Sequence, residues 1–247
     1  MYQEFTMAQL PFDWSELTRS NLYSMFYSLN SELVGKELSP SQIQKRIIRH
    51  VKSHLPIKLK KCLYTPTTPG YIFLGGVYYS NLDKKRKPAI EVNFNYNPTD
   101  RKLKLTNHRF KRMAIRFADV VLHEIVHQRQ FRARNFKNIP GYQSTAEYAK
   151  ERKKQEYYGD RDEMGAHAFN TACELFDRFG YDPTIIARYL DSNDCRRHKN
   201  STWNDYLKAF DWDHNHPIIC RMRNLIMRNL ENAYYGKPFK TNTWLTY

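Results

Sequence analysis

The segment His123-Glu124-Ile125-Val126-His127 lies in the middle of a long stretch with helical periodicity, from Thr106 to Ala133. On a helix, residues four positions apart lie one turn apart on the same face. The imidazoles of His123 and His127 are therefore placed to hold a single metal ion, with Glu124 beside them. The sequence predicts one helix over residues 106–133 with a metal site on one of its faces.

The chemistry of this H-E-x-x-H pattern is that of a zinc site in which the glutamate acts as general base toward a zinc-activated water. Both intervening residues are aliphatic and the preceding Val120-Val121-Leu122 is apolar, which places the motif at the edge of a core. Burying such polar side chains without a metal would be costly. We predict one catalytic Zn²⁺ bound by His123 and His127, with Glu124 as the catalytic base for hydrolysis of a protein or peptide substrate.

A catalytic zinc ion normally has three protein ligands and an open position for water. The extended pattern H-E-x-x-H-x-x-G-x-x-H is excluded, because Gln130 and Ala133 stand where it needs glycine and histidine. The segment Asp160–His167 offers carboxylates instead, and Glu163 is the first candidate. Glu163 also has a competing structural role, since Asp160-x-x-Glu163 is the pattern of a helix capping box.

Other residues of the same region remain open as alternatives. His167 lies one turn after Glu163 and is either a ligand or a partner that orients one. Asp160 and Asp162 are further candidate ligands, and a fourth protein ligand such as His167 would make the zinc site purely structural. Tyr157 and Tyr158 are candidate donors to the oxyanion that forms during hydrolysis.

The segment His123–Gln128, followed by Asp162-Glu163-Met164-Gly165-Ala166-His167-Ala168, resembles the zincin metallopeptidases of the glutamate-ligand type. In particular it resembles the small SprT-like metallopeptidases of tailed phages and bacteria. The resemblance covers about residues 89–179 and implies a three-stranded sheet packed on the metal helix. It also implies that His123 and His127 bind zinc, that Glu124 is the base and that Glu163 is the third ligand. The C-terminal zinc ribbon of SprT-like proteins is missing, since the four scattered cysteines form no C-x-x-C pair.

The expected architecture is a single α+β, zincin-like domain over residues 1–247, with a small, mostly antiparallel sheet. Residues 1–55 form a helical scaffold, residues 56–180 the sheet and metal-site helices, and residues 181–247 a helical C-terminal region. Helices are predicted over 14–33, from Ser39-Pro40, over 160–179, from Asp182-Pro183 and from Pro217, and strands over 57–64, 71–79 and 89–96.

Several local features are also predicted. Gly75-Gly76 indicates a bulge or a turn within its strand. The strand over 89–96 alternates apolar and polar residues, and it either presents a free edge to which an extended peptide adds, or is an ordinary half-buried strand. The basic stretch Lys150–Lys154 is expected to precede the helix at Asp160, and residues 191–212 are expected to be rich in loops.

The charge of the chain suggests a second class of function. The net charge is +15, and residues 84–154 hold 19 basic and 6 acidic residues, a net charge of +13. A solvated basic surface explains this excess, and so does a binding surface for nucleic acid or an acidic partner through Lys84–Lys154. The alternative function is therefore that of a basic nucleic-acid-associated or phage-virion structural protein with a peptidase-like fold.

The absence of a long apolar run and of a secretory signal predicts a protein without a membrane partner. The expected location is the cytoplasm, which is the host cytoplasm for a phage protein, or the virion. Scattered cysteines fit this expectation, because thiols stay reduced there.

Overall fold

The computed structural model describes residues 17–62, 69–197 and 201–234. The protein has a mixed α+β fold that is mostly helical and contains a small sheet. Its elements are α1 (Arg19–Tyr27), α2 (Asn30–Leu33), β1 (Glu37–Leu38), α3 (Pro40–Lys52), β2 (Lys58–Cys62), β3 (Ile72–Tyr78), α4 (Ser80–Lys84), β4 (Ile90–Tyr96), β5 (Leu103–Lys104), α5 (Asn107–Ala133), α6 (Ala149–Gly159), α7 (Arg161–Phe179), α8 (Pro183–Asp191), a 3-10 helix (Asn193–Arg197), α9 (Thr202–Ala209) and α10 (Pro217–Tyr234).

The chain forms two compact units. Unit 1 comprises Met1–Val77 and Pro88–Ala118, and unit 2 comprises Tyr78–Lys87 and Asp119–Tyr247. The first part of α5 therefore belongs to unit 1 and the part with the H-E-x-x-H segment to unit 2. The organisation of residues 1–247 as a single domain stays a prediction.

Helices α1 and α3 of unit 1 begin at capping boxes, with Thr18 and Ser39 as the N-cap residues. Ser39 Oγ accepts from the backbone N–H of Gln42, whose side chain in turn accepts from the Ser39 N–H, and Pro40 fills the first helical position. The predicted helix start at Ser39-Pro40 is confirmed, and such a cap stabilises a helix by about 1 kcal/mol. The helix predicted over 14–33 is wrong as a single element, because it is divided into α1 and α2, and residues 14–16 lie outside the described residues.

The three-stranded sheet of unit 1 has the order β2-β4-β3. Strand β4 is thus the central strand of this sheet, so of the two alternatives left open for it the free edge is wrong. It pairs with β2 in parallel, so the expectation of a mostly antiparallel sheet is also wrong for this pair, whereas β1 and β5 pair antiparallel. Glu91 of β4 is buried, and its carboxylate lies 3.5 Å from Lys58 Nζ and 3.7 Å from Lys60 Nζ of β2. Opposite charges on neighbouring strands therefore allow a glutamate in the middle of this sheet.

Strand β3 runs through Gly75 and Gly76 without interruption, so a turn at these glycines is wrong. Neither glycine has a positive φ, and both follow the extended backbone of their neighbours. The strand predicted over 57–64 is found as Lys58–Cys62, and residues 63 and 64 lie outside the described part of the chain.

Helix α5 has the bounds expected from the sequence within one residue. It begins after Thr106, whose Oγ1 accepts from the Arg109 N–H. In unit 1 its buried face presents Phe110 and Phe117 to Phe26 of α1, at ring-centroid distances of 5.7 and 4.6 Å. None of the described helices is long and apolar enough to cross a membrane.

Unit 2 is built from helices whose apolar faces form one core. Helices α7, α8 and α10 confirm the predicted helices, and α7 ends at Gly180, which has a φ of 64° that glycine adopts without strain. The sequence did not predict α4, α6, the 3-10 helix or α9. The basic stretch Lys150–Lys154 lies inside α6, and the loop-rich region predicted over 191–212 contains the 3-10 helix and α9. The core includes Met164, Leu175, Ile186, Trp203, Tyr206, Leu207, Phe210, Ile219, Met222 and Ile226.

Candidate metal centre

The two histidines of the H-E-x-x-H segment meet on one face of α5. Their ring centroids are 4.7 Å apart, and the distance between the His123 and His127 Nε2 atoms is 3.1 Å. Glu124 follows His123 directly and is only 5 % exposed. Helical spacing alone produces this arrangement, because one turn separates the two rings. The predicted helix therefore brings both nitrogens to the same point.

Glu163 reaches this point from the first turn of α7. Its Oε2 lies 3.5 Å from His123 Nε2, and its Oε1 lies 3.5 Å from His127 Nε2. Asp160 caps the helix alone, since its carboxylate accepts from the backbone N–H groups of Asp162 and Glu163. The N–H of Asp160 donates to backbone carbonyls of α6, so the capping box is not formed. The side chain of Glu163 is consequently directed to the histidines.

These three side chains fit a zinc ion. Two ligand atoms that each lie about 2.0–2.1 Å from a tetrahedral zinc are roughly 3.3–3.4 Å apart. The two Nε2 atoms are 3.1 Å apart, and each of them lies 3.5 Å from one of the two oxygens of the Glu163 carboxylate, so the distances lie on either side of this value. Glu163 Oε2 is also buried without a hydrogen-bond partner within the described residues. A buried, unpartnered carboxylate oxygen beside two imidazoles is the donor set that zinc satisfies.

The electrostatics of the three groups are coupled. Burial by itself would raise the pKa of Glu163, but its contacts with His123 and His127 outweigh burial, so the pKa of this carboxyl lies well below its ordinary value. Burial would likewise lower the pKa of His127, and the contact with Glu163 reverses this effect, so that the pKa is raised. Glu163 is therefore ionised and ready to bind a cation.

His167 lies on the other side of Glu163. Its Nε2 is 3.6 Å from Glu163 Oε2, and its ring centroid is 4.8 Å from that of His123. His123, Glu163 and His167 also form a group whose ligand atoms all lie within 4.8 Å of one another. Two ligand sets thus share His123 and Glu163 and differ in their third member. We favour the set with His127, because its distances are shorter and closer to those of a zinc site.

The other residues predicted for the site take different positions. Asp162 forms a bidentate ion pair with Arg134, with distances of 2.6 and 2.5 Å, and Asp160 is the helix cap. Tyr157 Oη lies 3.2 Å from His167 Nε2. Its pKa is raised by burial and by the nearby Glu163, so its hydroxyl keeps its proton and remains a donor. Tyr158 packs its ring on that of Tyr206 at 4.8 Å.

Two residues near the centre were missed in the sequence. Gln130 links the two metal-site helices, because its Oε1 lies 3.1 Å from His127 Nδ1 and its Nε2 donates to the Asp162 carbonyl at 3.0 Å. An amide oxygen only accepts, so Nδ1 of His127 carries a proton and Nε2 is the ring nitrogen that a metal ion would use. The spacing of three residues after His127 is a signal that was available, since it places Gln130 on the same helix face.

Tyr206 of α9 is the second such residue. Its ring centroid is 5.8 Å from that of His167, and its fully buried hydroxyl has no hydrogen-bond partner among the described residues.

Comparison of the chain with protein-family models, with curated proteins and with solved structures finds no match. The function therefore has to be inferred from the geometry of this centre.

Proposed function

We propose that this protein is a zinc-dependent metallopeptidase of the zincin type with a glutamate as third ligand. The observation that carries the proposal is the convergence of His123 Nε2, His127 Nε2 and the Glu163 carboxylate within 3.5 Å of one another. Two nitrogens and one carboxylate oxygen are the ligand set of hydrolytic zinc sites that keep a fourth position open. The resemblance of the two sequence segments to SprT-like proteins supports the same proposal.

The residues around the centre have distinct roles in this proposal. When bound, Zn²⁺ would polarise the substrate carbonyl and make a water molecule acidic enough to react. Glu124 accepts the proton of that water and delivers it to the leaving amine. The hydroxyl of Tyr157, which stays protonated, is placed to donate a hydrogen bond to the developing oxyanion near His167.

A purely structural zinc site is the competing assignment. It is favoured by the position of His167, whose Nε2 is 3.6 Å from Glu163 Oε2 and which would close the fourth position. In a closed site His167 is required for metal binding and Glu124 has no chemical role. In an open site Glu124 is required for turnover and His167 is not needed to retain the metal.

The test combines metal analysis with activity. The purified chain is expected to hold one zinc per chain and to cleave fluorescein-labelled casein, a general protease substrate. Glu124→Gln should keep the zinc and reduce the cleavage rate by at least about 10³-fold, because the proton acceptor is lost. His167→Ala is the matched variant and should also keep the zinc.

Two results would contradict the proposal. Cleavage of casein by Glu124→Gln at the wild-type rate would exclude the assigned mechanism. If His167→Ala loses its zinc and the wild-type protein does not cleave casein, the zinc site is structural.

A further inference from the structure

The first part of α5 carries three arginines that line a cavity in unit 1. Arg109, Arg112 and Arg116 follow one another at intervals of three and four residues, so their side chains emerge on one helix face. The cavity is also lined by residues 70–74, which lead into and begin β3. The cavity has a volume of about 570 Å³, within the range of roughly 300–1,000 Å³ that is typical of small-molecule sites.

The positive charge of this cavity is not neutralised by its lining. Arg109 donates to the Gly70 carbonyl and Arg116 to the Leu74 carbonyl, each at 3.2 Å, and both acceptors are uncharged. Arg112 is exposed and has no partner among the described residues. No aspartate or glutamate lines the cavity within the described part of the chain. Asp100 does not line the cavity, but its carboxylate accepts from the Gly70 N–H at 2.9 Å.

Two aromatic rings accompany the arginines. Tyr71 lies under the Arg109 guanidinium, which is 4.6 Å from the ring centroid, so this contact holds the arginine in place. Phe73 also lines the cavity and is 47 % exposed, with a ring centroid 6.3 Å from that of Tyr71. A large exposed aromatic ring beside guanidinium groups that no carboxylate of the lining neutralises has the composition of a surface on which a nucleic-acid base stacks while its phosphate is bound.

We propose that this cavity binds a nucleotide unit, with the phosphate held by the arginines around Arg112 and the base stacked on Phe73. The unit comes either from a free nucleotide or from a single strand of DNA or RNA. An acidic peptide is the less suitable ligand, because carboxylates would use the arginines but gain nothing from the exposed ring. This site lies within unit 1 and is independent of the proposed peptidase activity, since none of its residues belongs to the metal centre.

The experiment measures binding of a fluorescein-labelled twelve-residue oligothymidylate to the whole chain by fluorescence anisotropy. Arg112→Gln is expected to weaken binding about tenfold and to reduce the slope of log K against log salt by about one. Phe73→Leu keeps an apolar side chain but removes the ring, and it should weaken binding at least about fivefold. The matched control is Arg188→Gln, which removes another exposed arginine, from α8 in unit 2, and should bind like wild type.

Competition distinguishes the sources of the ligand. Displacement of the oligothymidylate by thymidine monophosphate supports a free nucleotide, and resistance to it supports a single strand. The proposal is overturned if Arg112→Gln binds like wild type or if Arg188→Gln loses as much affinity. It is also overturned if a peptide of twelve glutamates displaces the oligothymidylate and binds equally well to Phe73→Leu. A thermal unfolding midpoint no lower than that of wild type confirms for each variant that the fold is intact.

Discussion

The arginines near the two ends of α5 differ in their partners. Near its C-terminal end, Arg132 donates two hydrogen bonds to the Asp83 carboxylate at 2.8 and 2.7 Å, and Arg134 forms the corresponding pair with Asp162. Near its N-terminal end, two arginines of the cavity donate to carbonyl oxygens, Arg109 also contacts the Tyr71 ring, and Arg112 has no partner within the described residues. A bidentate pair with a carboxylate fixes the position of both groups, whereas an uncompensated guanidinium remains able to bind an anion.

This difference separates residues that hold the structure from residues that are free to bind a ligand. The paired arginines attach α5 to the elements beside the metal centre, since Asp162 precedes Glu163 directly. The unpaired ones contribute to the positive potential of the cavity. The excess positive charge of residues 84–154 is therefore divided between the two units. Part of it forms ion pairs with carboxylates, and part of it has no carboxylate partner in the cavity.

The largest effect is expected at the paired end, for Asp83→Ala. Asp83 is 8 % exposed and accepts from Tyr78 Oη at 2.8 Å and from Gln128 Nε2 at 3.2 Å, in addition to Arg132. The substitution leaves these donors without their common acceptor, and it should lower the free energy of unfolding by about 2–4 kcal/mol. Urea denaturation followed by circular dichroism measures this change.

The control for this variant is Asp194→Ala, at an exposed aspartate of the 3-10 helix with no side-chain partner among the described residues. Its effect should stay within about 0.5 kcal/mol. Equal unfolding midpoints for Asp83→Ala and wild type would show that the paired arginine does not stabilise the structure.

Local periodicity made the helices of the metal centre predictable. Helices α6 and α9 were not predicted, for different reasons. Helix α7 has an N-cap, an apolar face and a terminal glycine, so both of its ends are visible in the sequence. Helix α6 is dominated by charged residues and has no apolar face to predict it. Helix α9 had a usable signal, because Trp203, Tyr206, Leu207 and Phe210 follow the spacing of one buried helix face.

Features that depend on distant residues were not predictable in this way. The central position of β4 depends on which strands pair with it, and the spacing of its own residues carries no information about strand order. The sequence also left open whether Glu163 completes a capping box or binds a metal. The answer depends on the acceptor of the Asp160 N–H, which is in α6. The proximity of Tyr206 to His167 results from the packing of α9 in the core of unit 2.

An intermediate effect is expected for Gln130→Met, which keeps the length of the side chain but removes both hydrogen bonds. The variant should bind zinc about 10–100-fold more weakly, because His127 is no longer held in the required tautomer. Titration against a chromophoric zinc chelator at constant pH measures the affinity. Gln130→Glu restores an acceptor for the His127 Nδ1–H and should recover most of it. Equal affinity of Gln130→Met and wild type would contradict the assigned orientation of His127.

The smallest effect, with the opposite sign, is expected for the stability of Arg112→Gln. Arg112 has like-charged neighbours at positions 109 and 116 of the same helix face and no carboxylate partner within the described residues. Like charges at such spacing destabilise a helix by about 0.2–0.5 kcal/mol each, so the substitution should slightly raise the free energy of unfolding. The gain should shrink as salt is added, because salt screens exposed charges.

Arg132→Gln is the matched variant at the paired end and should be destabilising at every salt concentration, since it removes the donors to Asp83. If both variants lower stability equally, the arginines of the cavity are structural and the contrast between the two ends of α5 does not hold.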